Sequence, residues 1–139
     1  MPHGFFSLIL HAHLPFVRHP EHPEFLEEDW LYEAITEVYL PLLDALTSLE
    51  AAGARPRLAL NLSPTLCEML ADPLLQTRYT RHLENLSALA AKEVARTRAT
   101  GREFLPAARM YRSQLRKTQM LWEEVYRRDL DLSAARFHR

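Results

Sequence analysis

The chain has 139 residues, 47% hydrophobic and 25% charged, a size and composition suited to one modest folded domain and unlike disordered or fibrous chains. Its formal net charge is -1, with basic and acidic residues interspersed, so no strong field gathers nucleic acid or anionic lipid. A single cysteine, Cys67, excludes an intramolecular disulfide and a thiol-rich metal site, and it suits a reducing compartment. The apolar run from Phe5 to Leu10 is too short for a signal peptide or a membrane span, and the expected location is the cytoplasm.

Phe5, Phe6, Ser7, Leu8, Ile9 and Leu10 form a nearly unbroken apolar run, the pattern of a first strand covered on both faces. Pro15 removes a ladder donor, so the strand gives way to a loop after His11, Ala12, His13 and Leu14. Residues 18 to 29 are polar, with Pro20 and Pro23, and read as a loop. Leu31, Ile35, Val38, Leu42, Leu46 and Leu49 then recur at helical spacing up to Gly53, with a kink or break expected at Pro41.

From Arg57 to Leu62 an extended pattern returns, placing Leu58, Leu60 and Leu62 on one side and Arg57, Ala59 and Asn61 on the other. Strand, helix and strand in this order imply a βαβ crossover and a parallel pair over about residues 5–62. Ser63 and Asp72, each followed by proline, are placed to start two further helices. The rest, to about residue 138, reads as helical: one segment from Leu74 to Arg98, a break near Gly101, then Pro106 to Arg128, with another helix beginning at Leu130. Tyr79, Leu83, Leu86 and Leu89 support the first helix, and Tyr111, Leu115, Trp122 and Val125 the second. No third strand follows, and a two-stranded parallel sheet does not enclose a core by itself. The expected class is therefore α/β, two parallel strands followed by long helices, with no complete second domain.

Five of the seven histidines lie within the first 22 positions: His3, His11, His13, His19 and His22. If strand alternation extends to residue 13, His11 and His13 share one face with Ser7 and Ile9 at the strand's C-terminal end, where βα units bind ligands. The spacing admits three roles for such a pair: capping loop carbonyls, holding a divalent metal with ligands from elsewhere, or donating to sugar hydroxyls. Glu27, Glu28 and Asp29 precede a helix and read as capping and solvated groups. Trp30, beside the histidine-rich loop, is a candidate for stacking on a sugar ring, whereas Tyr32 and Trp122 fit a core. Neither Ser63 nor Cys67 has a suitably placed base for nucleophilic chemistry, and three scattered glycines make no phosphate loop.

The run SLILHAHLPFVRHPEHPEFLEEDWLYEAITEVYLPLLDAL, residues 7–46, closely resembles the opening of family 57 glycoside hydrolases of the α-glucan branching type, including the motif around the two histidines. The run LNLSPTLCEMLADPLLQTRY, residues 60–79, resembles their next segment. The resemblance implies the N-terminal part of an incomplete, seven-stranded β/α barrel, a retaining mechanism, and transfer of an α-1,4-linked glucan segment to a 6-hydroxyl. No cofactor and no metal are expected, since nothing in the chain supplies a convincing third and fourth ligand beside His11 and His13. Such chemistry uses two carboxyl groups about 5 to 5.5 Å apart, and in the family these are a glutamate and an aspartate in motifs well beyond the first. The resemblance thus assigns His11 and His13 to sugar binding, assigns no catalytic residue, and leads to the expectation that this chain alone is inactive. The implied partners are an α-1,4-glucan and the remainder of the barrel or an intact homologue. Two other readings stay open: a metal-dependent hydrolase using the His-X-His pair, and a non-catalytic protein that binds glucan or pairs with an intact enzyme.

Overall fold

A computed structural model of the chain describes residues 3–55 and 57–130. These fall into two compact units, one within residues 1–72 and one over residues 73–130. The expected helix at the C-terminus lies, apart from Leu130, outside the described residues.

In the first unit, β1 (Ile9–Ala12) pairs in parallel with β2 (Ala59–Leu62). The register sets Ile9 opposite Ala59, Leu10 opposite Leu60, His11 opposite Asn61 and Ala12 opposite Leu62. The ladder extends a step at either end, since the Ala59 N–H donates to the Leu8 carbonyl at 3.0 Å and the Ser63 N–H to that of Ala12 at 3.1 Å. Exposure alternates along both strands: Ile9, His11, Ala59 and Asn61 are exposed, while Leu10, Ala12, Leu60 and Leu62 are half-buried. The expectation of a first strand covered on both faces is corrected here. Phe5, Phe6 and Ile9 are 98%, 89% and 68% exposed. The pairing starts four residues later than the apolar run, because β2 offers a ladder partner only from Leu8 onward.

Between the strands, α1 (Glu28–Ala34) passes through a π-helical turn, Ile35–Tyr39, into α2 (Leu40–Ala51). The wide turn stands where Pro41 made a break necessary. Proline has no N–H for the carbonyl four residues back and crowds that carbonyl, and an i→i+5 turn just ahead of it relieves both. The Leu40 N–H accordingly donates to Ile35. A Schellman arrangement ends α2: Gly53 is left-handed at φ 78°, its N–H reaches the Glu50 carbonyl, and the Ala54 N–H reaches that of Leu49. After β2, α3 (Pro64–Ala71) starts as expected, with the Ser63 hydroxyl accepting from the Leu66 N–H at 3.3 Å. Val17, Leu31, Tyr32, Ile35, Leu40, Leu66, Met69 and Leu70 are the main buried apolar side chains of this unit.

The second unit is a helical hairpin. The long α4 (Pro73–Ala99) and α5 (Leu105–Met120) pack on each other, joined through Gly101 at φ 82° and a short 3-10 turn, Arg102–Phe104. A second π turn, Leu121–Val125, prolongs α5. The expected continuation to Arg128 stops short because Arg127 and Arg128 adopt positive φ of 53° and 65°, and the Arg128 N–H caps the Trp122 carbonyl at 2.8 Å. Trp122 is buried with its ring edge-on to Tyr79 at 4.8 Å, and its indole N–H donates to Thr80 at 3.0 Å. Tyr79 and Leu83 are buried as the periodicity suggests. Leu89, Tyr111 and Val125 are not core residues, being 61%, 59% and 50% exposed, since a two-helix hairpin buries only one narrow stripe of each helix. No helix among the described residues is long and apolar enough to cross a membrane.

Candidate functional site

Residues two apart on a strand point the same way and stand about 6.6 to 6.8 Å apart along it. His11 and His13 follow that rule: their rings lie side by side with centroids 6.0 Å apart and planes within 21°, and both side chains are exposed. His11 is near the C-terminal end of β1 and His13 just past it. Because β2 runs parallel, its own C-terminal end and the capped start of α3 come to the same side. The two imidazoles therefore form one exposed polar face at the end of the sheet where βα units hold ligands. Neither ring is hydrogen-bonded to a carboxylate among the described residues, and no group of three or more potential metal ligands occurs among them.

The loop from Arg18 to Glu27 is pinned from several sides. The Val17 N–H donates to the Met69 sulfur at 3.3 Å, and the Arg18 guanidinium donates to Asp72 at 2.6 Å. His19 is the hub. Its Nδ1 faces Glu21 at 3.2 Å and its Nε2 faces Glu27 at 3.1 Å, while the ring lies 3.8 Å from that of Phe25, which also stacks near His22. The Glu21 carboxyl is held below its ordinary value, first by a backbone hydrogen bond and then by the His19 ring.

Glu28 departs from its expected role. In place of a solvated first-turn charge, it is 1% exposed, accepting from the Tyr32 hydroxyl at 2.8 Å and from the His19 N–H at 3.2 Å. It locks the loop to the first turn of α1. Sequence reading missed this because a Glu-Glu-Asp run carries no mark of which carboxylate turns inward.

Trp30, on the next position but one, is 51% exposed and makes no ring contact with either imidazole. The structure thus brings His11 and His13 together and leaves Trp30 as a separate exposed aromatic. Tyr32 is buried, in keeping with a core role. Asn61 went unremarked as a site residue, although strand alternation puts it on the outward side of β2; only the register shows that it lies opposite His11.

Comparison with known proteins gives this geometry a family. The sequence profile described as glycosyl hydrolase family 57 matches residues 7–126. The chain is 34% identical over 82 residues to the 1,4-alpha-glucan branching enzyme of Thermococcus kodakarensis, covering 58% of this chain and 12% of that protein. It is 34% identical over 96 residues to a probable 1,4-alpha-glucan branching enzyme of Mycobacterium tuberculosis, covering 68% of this chain and 18% of the relative. Among solved structures, the alpha-amylase AmyC of Thermotoga maritima superposes with a TM-score of 0.78 at 43% identity, over 86% of this chain and 22% of that one. The family 57 branching enzyme of Pyrococcus horikoshii does so with a TM-score of 0.79 at 27% identity, over 88% and 22%. The chain spans between 12% and 22% of the length of these relatives. With the family profile running through both strands and the helical hairpin, this chain belongs to glycosyl hydrolase family 57.

Proposed function

We propose that this chain is the N-terminal part of an incomplete, seven-stranded β/α barrel of the 1,4-alpha-glucan branching type, and that it contributes sugar-binding groups and no reacting carboxylate. The observation that carries the reading is the pair of exposed, parallel imidazoles at the C-terminal end of β1. An imidazole N–H donates to a hydroxyl oxygen while the other ring nitrogen accepts from a hydroxyl, so two adjacent rings span neighbouring hydroxyls of one sugar. Trp30 offers an exposed ring for a further sugar unit. The exposed faces of Phe5, Phe6 and Ile9 fit strands supplied by the remainder of the barrel or by an intact homologue. A cytoplasmic location belongs to the same reading and rests on the single cysteine.

Retaining transfer needs a carboxylate nucleophile and a second carboxyl group as acid and base. Imidazoles supply neither role in forming a glycosyl ester, so the chain alone is expected to bind glucan without turning it over. Calorimetric titration with maltoheptaose tests the binding: saturable binding is expected, weakened roughly two- to ten-fold by His11→Ala or His13→Ala. Incubation with amylose, following reducing ends and branch points, tests the rest; release of either by pure protein contradicts the proposal. Stoichiometric zinc retained after dialysis would favour a metal-dependent hydrolase instead.

A further inference from the structure

Asn61 is the one polar side chain that the register sets directly opposite His11. Register partners on adjacent parallel strands project from the same face, with backbones about 4.8 Å apart. The alternation of exposure agrees: Asn61 and His11 are both on the uncovered side of the sheet, with Ala59 and Ile9 behind them. Ala59 and Ile9 offer only apolar surface. The polar groups at the C-terminal end of this face are therefore two imidazoles, one on β1 and one just past it, and one carboxamide beside the first of them, with Ser7 and Arg57 before the strands. The Asn61 amide makes no hydrogen bond among the described residues, so its donor and acceptor are both uncommitted. Structural asparagines near strand ends ordinarily spend that capacity on a turn or cap, and here Ser63 holds the α3 cap.

We infer that Asn61 is a third sugar-contacting group, acting with His11 and His13 on one glucose unit of an α-1,4-glucan. The inference rests on the sugar-binding reading of the histidine pair and adds the lateral direction that reading lacks. Two groups two residues apart on one strand define a line, and a ligand held by them pivots about it. A carboxamide on the neighbouring strand makes a triangle and fixes the face of the sugar ring. Its C=O accepts from one hydroxyl and its NH2 donates to another, the bidentate pattern that adjacent equatorial hydroxyls suit. Alanine in its place keeps the backbone that pairs β2 with β1 and removes the carboxamide.

The experiment is calorimetric titration of the full chain and its variants with maltoheptaose, with circular dichroism and urea midpoints as the check on folding. Asn61→Ala is expected to weaken binding roughly two- to ten-fold, the effect of one or two neutral hydrogen bonds, at an unchanged unfolding midpoint. Asn61→Ser, which keeps a donor and an acceptor, is expected to recover part of the binding that Asn61→Ala loses. Binding by Asn61→Ala equal to that of the unaltered chain, while His11→Ala and His13→Ala weaken it, overturns the role of Asn61 and leaves the histidine reading standing. No saturable binding by the unaltered chain overturns both. Equal weakening by Asn61→Ala and Asn61→Ser, with a lowered unfolding midpoint in each, assigns Asn61 to the fold and overturns the inference.

Discussion

The Tyr32 hydroxyl donates to the Glu28 carboxylate at 2.8 Å, and both side chains are buried. A buried carboxyl group is tolerated only with its hydrogen bonds in place, and Glu28 also receives the His19 N–H. Glu28→Ala removes the acceptor of both bonds, and Tyr32→Phe removes one of them; each is expected to destabilise by about 1 to 3 kcal/mol. Glu33→Ala, at an exposed position of the same helix, is expected to stay within about 0.5 kcal/mol. Urea unfolding midpoints check this, and equal midpoints for Glu28→Ala and Glu33→Ala contradict it.

The loop around His19 is expected to loosen in acid. Its neighbour Glu21 has its carboxyl held below the ordinary value by a backbone hydrogen bond and by His19. A group whose folded pKa is lowered contributes stability that is present above the unfolded value and lost as pH falls through the folded one. The protection of the His19, Glu21 and His22 amides, taken as the exchange rate relative to that of the unfolded chain, should therefore be full above the ordinary glutamate value and fall as pH drops through the lower folded one. Glu21→Gln should flatten that dependence; an identical acid response in the variant contradicts the assignment. At the alkaline end, burial lifts the Tyr39 phenol above its ordinary value, so its contribution is present below about pH 10 and lost as pH rises through the folded value.

In the hairpin, Trp122, packed on α4 from the π turn after α5, and Ser87, within α4, make opposite predictions. Trp122→Ala removes the ring packed on Tyr79 and the hydrogen bond to Thr80, and is expected to cost about 3 to 5 kcal/mol. Ser87, on α4, has a buried hydroxyl without a partner among the described residues. Thr77, Thr80, Thr97 and Thr100, by contrast, each bond the carbonyl four residues back. Ser87→Ala removes the unpaired group and improves helix propensity, so a gain of about 0.5 to 1 kcal/mol is expected. A Ser87→Ala variant with a lower melting temperature contradicts that account.

Much of this was legible in the order of residues because local chemistry decided it. Ser63 before Pro64 can do little except start a helix, and Gly53 and Gly101 occupy the left-handed positions that end α2 and α4. The alternation of Leu58, Leu60 and Leu62 against Ala59 and Asn61 survived intact in β2. The histidine pair was legible for the same reason, since a two-residue period puts both rings on one face.

Non-local pairing was not legible. The run from Phe5 to Leu10 has the composition of a buried strand, and burial needs neighbours that the described residues do not provide. Glu28 and Glu27 are adjacent glutamates in sequence; one is buried by Tyr32 and the other faces His19, a difference made by contacts eight and nine residues back. Asn61 acquired its interest only from the register that sets it against His11.

The exposed aromatic surface makes a further prediction. Phe5 and Phe6 present nearly their whole side chains to solvent beside Ile9. The protein is expected to bind a solvatochromic apolar dye, and the double variant Phe5→Ser with Phe6→Ser is expected to bind much less while its unfolding midpoint moves little. Dye fluorescence unchanged in that variant contradicts this assignment of the surface.

The most direct test watches the two rings themselves as glucan arrives. Imidazole proton and nitrogen signals of His11 and His13, assigned by NMR and followed during a maltoheptaose titration, are predicted to shift together along one saturation curve, while those of His82 on α4 stay in place. Shifts confined to one of the pair, or none from either ring while the sugar binds elsewhere, would contradict a shared sugar-binding face.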